Sequence, residues 1–263
     1  MKRWLAGWGP IAALSAKELR IAMASPIVSV VAGVFLAIVG LFFSQIVIVA
    51  SLQSLQMLQF QGSLPQLNLT TMVFQPIFRN VHVILLLVIP LLTMRLLSEE
   101  RKNKTMELLM TSPMTLTQVI VGKYLAVLVI YAALLGLTGY MPILLSLWGT
   151  VDWPTVLSGY LGLFLVGAVY LALGLFASSL TENQISAAVV TLGLILGFWI
   201  VGWAAMTVDN PAVRPVLEYL SVNQHLDRFL KGLLDSSSVV YTFSVAGFGL
   251  LLTHRVLDSS RWR

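Results

Sequence analysis

The chain has 263 residues, 58% of them hydrophobic and only 10% charged, against roughly 25% charged in a soluble domain, and its mean hydropathy is +0.89. These values exclude a soluble enzyme or binding module and describe an all-α integral membrane protein, because the apolar runs are too long and uniform for alternating barrel strands. Cysteine is absent, which excludes a disulfide framework and a thiolate metal site, and the net charge of +5 reads as a topology signal rather than as evidence of a nucleic-acid partner.

At the start, Lys2 and Arg3 precede a short apolar patch, but Gly7, Gly9 and Pro10 cut it below the roughly 7 to 15 apolar residues of a signal-peptide core, so a cleaved leader is not expected. Residues 10–24 predict an amphipathic helix along the inner membrane surface, with Ile11, Leu14, Ile21 and Ala22 on one side and Lys17 and Arg20 elsewhere. Glu18 projects into the apolar arc. Either it faces solvent, or it pairs with Arg95 or Arg101 and ties the surface helix to the charged segment beyond the second span.

A spanning helix needs roughly 20 mostly apolar residues, and six segments qualify: 26–50, 76–97, 117–147, 155–180, 185–206 and 238–256. The second is short unless it begins near Phe74, with Arg79 and Asn80 at the head-group level. Between the first two spans, residues 51–75 are rich in uncharged glutamine and are expected to extend the first helix and then loop back. Placing both termini in the cytoplasm puts twelve Lys and Arg residues inside and only Arg79, Arg214, Arg228 and Lys231 outside.

Residues 99–113 form a charged segment caught between the second and third spans. Glu99, Glu100 and Arg101 make a hinge, Thr105 can cap a helix carrying Met106, Leu108, Leu109 and Met110, and Pro113 stops it. Two readings stand: an ordinary loop that fixes topology, or a lever that a soluble partner grips to move the membrane helices.

Trp148 and Trp153 flank a brief outer turn at interfacial depth, and residues 180–184 make an equally brief inner connection, so these helices are antiparallel neighbours. The pairs Ser158/Gly162 and Gly193/Gly197 allow close helix approach. Residues 211–235 hold Pro211 and Pro215, then Leu226, Phe229, Leu230 and Leu233 at helical spacing among Asp227, Arg228 and Lys231. This amphipathic outer segment either dips into the outer leaflet or offers a docking face to an extracytoplasmic partner.

No catalytic or metal-binding set is apparent. Gly122-Lys123-Tyr124 lacks the preceding glycine and the hydroxyl residue of a phosphate loop, His82, His225 and His254 are scattered, and apart from Arg95 the spans are almost free of charge. Proton- or ion-driven transport would mark the spans with ionisable residues, so energy is expected to arrive from outside the membrane segment.

The run from Arg95 to Leu125, including Ser-Glu-Glu-Arg-Lys-Asn-Lys-Thr-Met-Glu-Leu-Leu-Met-Thr-Ser-Pro, resembles the signature of ABC-2 type permeases. In that family an acidic hinge, a Gly-Thr-x-Glu-Leu-Leu core and a proline stop form the coupling helix that docks on an ATPase. The matching positions are Glu99, Glu100, Thr105, Glu107, Leu108, Leu109 and Pro113, with Lys104 standing where the family usually has glycine. Tyr160, Gly162, Leu163, Tyr170 and Gly174 to Ile185, with His225, Phe229, Lys231, Gly232, Asp235 and Tyr241, are similar to the gliding-motility branch, and Lys17-Glu18-Leu19 matches its opening surface helix.

The resemblance implies a permease of the bacterial inner membrane that works as a dimer with two ATPase chains. ATP and Mg would be held by those partners, with no cofactor on this chain, and an accessory membrane-anchored extracytoplasmic protein often completes the complex. Such a permease transports a passenger or transmits force outward. The rival reading is an ATP-independent carrier, or a scaffold for an extracytoplasmic assembly.

Overall fold

A computed structural model describes residues 2–59, 70–105, 114–208 and 210–259. Among them there are helices and turns but no strand, and six helical segments are long and apolar enough to cross a membrane. The chain is an all-α integral membrane protein.

Helix α1 (Lys2–Ala24) begins well before residue 10 and runs through Pro10. It stops at Ser25, and Pro26 opens α2 (Pro26–Gln59), its fixed φ suiting a first helical turn. α2 continues past residue 50, as the uncharged glutamines beyond its apolar run suggest. A π-helical turn (Thr70–Phe74) leads into α3 (Gln75–Thr93), so the second crossing does begin beside Phe74. A tight turn then delivers the chain to α4 (Ser98–Lys102).

Thr115 caps α5 (Leu116–Leu137) in a reciprocal capping box with Gln118. The third crossing, expected as one helix, is broken: α5 ends at Thr138 and α6 spans Tyr140–Ser146. Pro142 has no N–H to offer the Thr138 carbonyl, which instead accepts from the Met141 N–H at 3.1 Å and the Tyr160 hydroxyl at 3.0 Å.

α7 (Trp153–Leu180) and α8 (Gln184–Thr207) come next, then two short helices, α9 (Arg214–Leu220) and α10 (Val222–Leu230), and finally α11 (Ser236–Ser259). α7 is the axis of the bundle and touches α3, α5, α8, α10 and α11. Of its apolar stretch 83% is buried, against 11% for α2 and 22% for α8, so α2 and α8 present the faces that lipid or another chain must cover.

Small residues on α7 set these contacts. A Cβ at Gly167 would strike the Tyr131 ring, one at Gly174 would strike Thr93, and one at Gly162 would strike Phe229. The expected close approach at Ser158/Gly162 is therefore used, by α10 rather than by a neighbouring span. Gly193 and Gly197 on α8 have nothing within 4 Å. Hydroxyls lock α5 to the axis, with Tyr124 donating to the Ala168 carbonyl at 3.0 Å and Tyr131 to that of Leu163 at 2.6 Å. Deeper still, His82 on α3 meets the Tyr170 hydroxyl at 2.9 Å, and both side chains are buried.

Candidate functional site

At the end of the bundle that carries α1 and α4, one basic side chain gathers two acidic ones. The Lys123 Nζ lies 3.0 Å from a Glu18 carboxylate oxygen and 2.8 Å from one of Glu100, with the lysine 2% exposed and the carboxylates 18% and 21%. α1, α4 and α5 are thus joined at one point. Burying three charges is costly unless they are paired, and the pairing here is incomplete: the second Glu100 oxygen is buried without a hydrogen-bond partner among the described residues.

The packing of α1 along α5 explains the pairing. Leu14 fills the space above Gly122, where a Cβ would come within 2.9 Å of it, and the Ser15 hydroxyl donates to the Gly122 carbonyl at 2.8 Å. One turn on, Glu18 meets Lys123. This corrects the expectation that Glu18 pairs with Arg95 or Arg101. Arg95 instead donates to the Gln184 side-chain oxygen at 3.2 Å, and Arg101 makes no ion pair among the described residues. It also corrects the view that Arg95 is the only charge of note in the spans. Lys123 lies one turn beyond Val119 and Ile120 and before Ala126 and Val127, within the buried stripe of α5, and an ionisable residue inside an apolar run is the signal that could have found it.

The root of the charged segment is clamped as well. The Ser178 hydroxyl oxygen, near the end of α7, accepts from the Leu97 N–H at 3.0 Å and the Ser98 N–H at 3.1 Å, while the hydroxyl donates to the Met94 carbonyl at 3.2 Å. Leu97 is fully buried with Leu116, Ile120, Leu175 and Leu257. Ser178 falls within the stretch that resembles the gliding-motility branch, but the sequence gives no role for it, because its partners are backbone groups of a distant turn.

Of the expected coupling residues, Glu99 and Glu100 lie on α4 with Arg101 beside them. Thr105 is exposed and turns back, its N–H donating to the Glu100 carbonyl at 3.0 Å and its hydroxyl at 3.3 Å. Lys104 adopts φ +56°, a left-handed conformation that favours glycine. Glu107, Leu108, Leu109 and Pro113 lie outside the described residues. On α1, Lys17 and Arg20 are exposed beside the inward-facing Glu18.

At the opposite end, α10 is capped by Ser221, whose hydroxyl accepts from the Gln224 N–H. Its apolar face is already covered, with Leu226, Phe229 and Leu230 buried and α10 in contact with α7 and α8. That face is therefore not free for a partner; the segment exposes Val213, Val216, Tyr219 and Leu220 in and beside α9, Arg228 on α10, and Lys231, Leu233 and Leu234 beyond it. His225 stacks on Tyr241 with ring centres 4.1 Å apart. Its Nε2–H donates to the Tyr219 carbonyl at 2.9 Å, which leaves Nδ1 to accept from the Ser238 hydroxyl at 2.9 Å. Burial holds this imidazole below its ordinary pKa. Asp235 accepts from the Ser237 hydroxyl and N–H and pairs with Arg228 at 2.5 Å, and these bonds hold its carboxyl below the usual range.

Among the described residues no histidines and carboxylates converge as a metal centre requires. The arrangement joins two clamped roots at one end of a continuous packed axis to a docked helical module at the other.

Comparison with curated proteins yields no match. Residues 74–223, from the start of α3 into α10, match the family described as ABC-2 family transporter protein. The match covers more than half of the chain, which therefore belongs to the ABC-2 family and is a membrane-spanning permease subunit of an ABC transporter.

Proposed function

We propose that the chain is driven by a separate ATPase, two copies of which grip residues 99–113 of two permease copies in the bacterial inner membrane, with both termini cytoplasmic. ATP and Mg belong to those partners. The observation that carries the reading is the Lys123 junction: a push on the charged segment reaches α4 through Glu100, passes to α5 through Lys123, and reaches the surface helix through Glu18. The Ser178 clamp gives the same push a second route, into α7.

Force transmission outward is supported by what α7 touches. Its far end carries α10 through the Gly162 and Phe229 contact, so an axial displacement would move the outer module as a body. The bundle centre is filled by side chains such as Tyr131, Tyr170 and Ile89. A passenger would accordingly travel at a seam involving the exposed faces of α2 and α8, not through one copy. The resemblance of residues 160–185 and 225–241 to the gliding-motility branch supports the force-transmitting variant, with an accessory extracytoplasmic protein meeting the exposed residues around Lys231.

Purification of the tagged chain in mild detergent from its native host tests the reading. Recovery of a Walker-motif ATPase in equal amount is expected, with ATP hydrolysis by the complex changed by Leu108→Asp or Glu107→Lys while membrane insertion persists. A stable, active chain with no ATPase would establish the rival carrier or scaffold.

A further inference from the structure

A cavity of about 450 Å³ opens beneath the corner between α1 and α2, within the roughly 300–1,000 Å³ range of small-molecule sites. Its body is apolar, formed by Ile21, Ala22 and Val28 from the corner and by Leu92, Val127 and Ile130 from α3 and α5. Its polar lining comes from Glu18, Ser25, Arg95 and Glu99. Glu18 already pairs with Lys123, which it shares with Glu100. Arg95 and Glu99 are different: both are half-buried, and among the described residues neither forms an ion pair, with each other or with any other side chain. Among the described residues the cavity thus offers a cation and an anion outside any ion pair, with Arg95 donating only to the Gln184 side chain, above an apolar floor at the end of the bundle that carries α1.

A ligand complementary to that pattern carries a negative and a positive group side by side on an apolar stem. We propose that the cavity binds the head of a zwitterionic phospholipid with a primary amine, the phosphate on the Arg95 guanidinium and the ammonium on the Glu99 carboxylate, with the glycerol and the upper acyl chains against Ile21, Val28 and Val127. Arg suits phosphate because its planar fork donates two parallel hydrogen bonds, and a primary ammonium has N–H donors for a carboxylate. A purely anionic lipid would satisfy Arg95 but set its charge against Glu99. Bound there, the lipid wedges the surface helix against the root of the charged segment, next to the Lys123 junction.

The proposal goes beyond the ATP-driven reading, since lipid retention needs no ATPase, and its failure would leave that reading standing. The full chain is exchanged in detergent into phosphatidylethanolamine or phosphatidylglycerol and its retained adducts are counted by native mass spectrometry. Phosphatidylethanolamine is expected to be retained as a discrete adduct with about ten-fold higher affinity than phosphatidylglycerol, as the net effect of one charged hydrogen bond gained and one repulsion avoided. Arg95→Gln and Glu99→Gln should each erase that preference. Ala22→Phe, at a half-buried lining position on α1, fills the cavity without touching a charge and should remove the adduct, which keeps the test decisive if a charge variant melts early. Equal retention of the two lipids by the unmodified chain, or retention of phosphatidylethanolamine unchanged in all three variants, overturns the proposal in favour of nonspecific boundary lipid.

Discussion

The Lys123 ammonium sits 2.8 Å from a Glu100 carboxylate oxygen, buried where the third crossing meets the charged segment. Glu18 holds the same ammonium from the other side, so two carboxylates share one lysine. That imbalance makes the three positions unequal. Lys123→Met leaves two facing carboxylates, each only about a fifth exposed, with the exposed Lys17 as the remaining cation acting on Glu100, and is expected to destabilise the folded chain by about 3 kcal/mol. Glu100→Gln leaves a one-to-one pair with Glu18 and should cost less than ~1.5 kcal/mol. Thermal unfolding in detergent checks the order, and a larger loss for Glu100→Gln than for Lys123→Met would refute the geometry.

Ser178 offers a second handle on the same root. Ser178→Ala removes the oxygen that accepts from two buried backbone N–H groups, those of Leu97 and Ser98, and an unsatisfied buried donor costs about 1–3 kcal/mol. The side-chain volume hardly changes, so the effect is one of hydrogen bonding. Limited proteolysis between residues 98 and 105 should accelerate while cleavage elsewhere stays as before.

Much of this architecture was legible in sequence. The six long apolar runs fixed the class, because lipid forces each backbone to satisfy itself within a helix. What stayed hidden depends on contacts between distant segments. Glu18 has several basic candidates within reach in sequence, and only the seating of Leu14 over Gly122 selects Lys123. The break at Thr138 likewise needs Tyr160, a residue on another helix, to satisfy the freed carbonyl. The Gly-Thr-x-Glu-Leu-Leu resemblance is partly explained: Lys104 holds the left-handed conformation that glycine adopts without strain.

That conformation makes a sign-definite expectation. Lys104→Gly relieves a left-handed strain of roughly 1–2 kcal/mol, less the entropy glycine restores to the unfolded chain, so the turn should be as ordered as before or slightly more. Lys104→Val places a branched side chain at the same φ and should loosen it. Amide hydrogen exchange at Asn103 and Thr105 distinguishes the two; faster exchange in the glycine variant would contradict the assigned turn.

At the far end, His225 confers a pH dependence. Burial lowers its folded-state pKa below the ordinary 6.5, so the unfolded chain binds the proton more readily than the folded one, and stability falls as pH drops. The contribution is intact above about 6.5, begins to fade below that value and is lost once the pH passes below the folded pKa. The charged and titratable groups around this ring are Arg228 and Asp235, the latter ionised throughout this range, with the Tyr241 ring stacked on it and the Tyr219 ring perpendicular to it. Protonation ends Nδ1's acceptance from Ser238. A thermal midpoint that declines between pH 7 and 5 is expected, with a shallower slope in His225→Gln; equal slopes would remove His225 as the cause.

The contact between Gly162 and Phe229 decides whether the outer module rides on α7. A Cβ at Gly162 would lie 2.5 Å from the Phe229 Cβ, far inside contact distance, and Phe229 is 1% exposed, so it cannot swing aside. Gly162→Leu must therefore lift α10, with an overpacking cost of about 1–3 kcal/mol or more. Phe229→Gly alone opens a cavity and costs about 3–5 kcal/mol, with about 1 kcal/mol more for a glycine within a helix. Combined, Gly162→Leu and Phe229→Gly remove the Cβ that the new side chain would strike and let it enter the vacated space, so the double variant should be more stable than the sum of the two losses implies. If α10 transmits displacement from α7, Gly162→Leu should also lower the output of the complex at the outer face while leaving partner-driven ATP hydrolysis in place, and the double variant should recover part of it. Additive thermal losses with no recovery would mean that α10 is held by contacts other than this one.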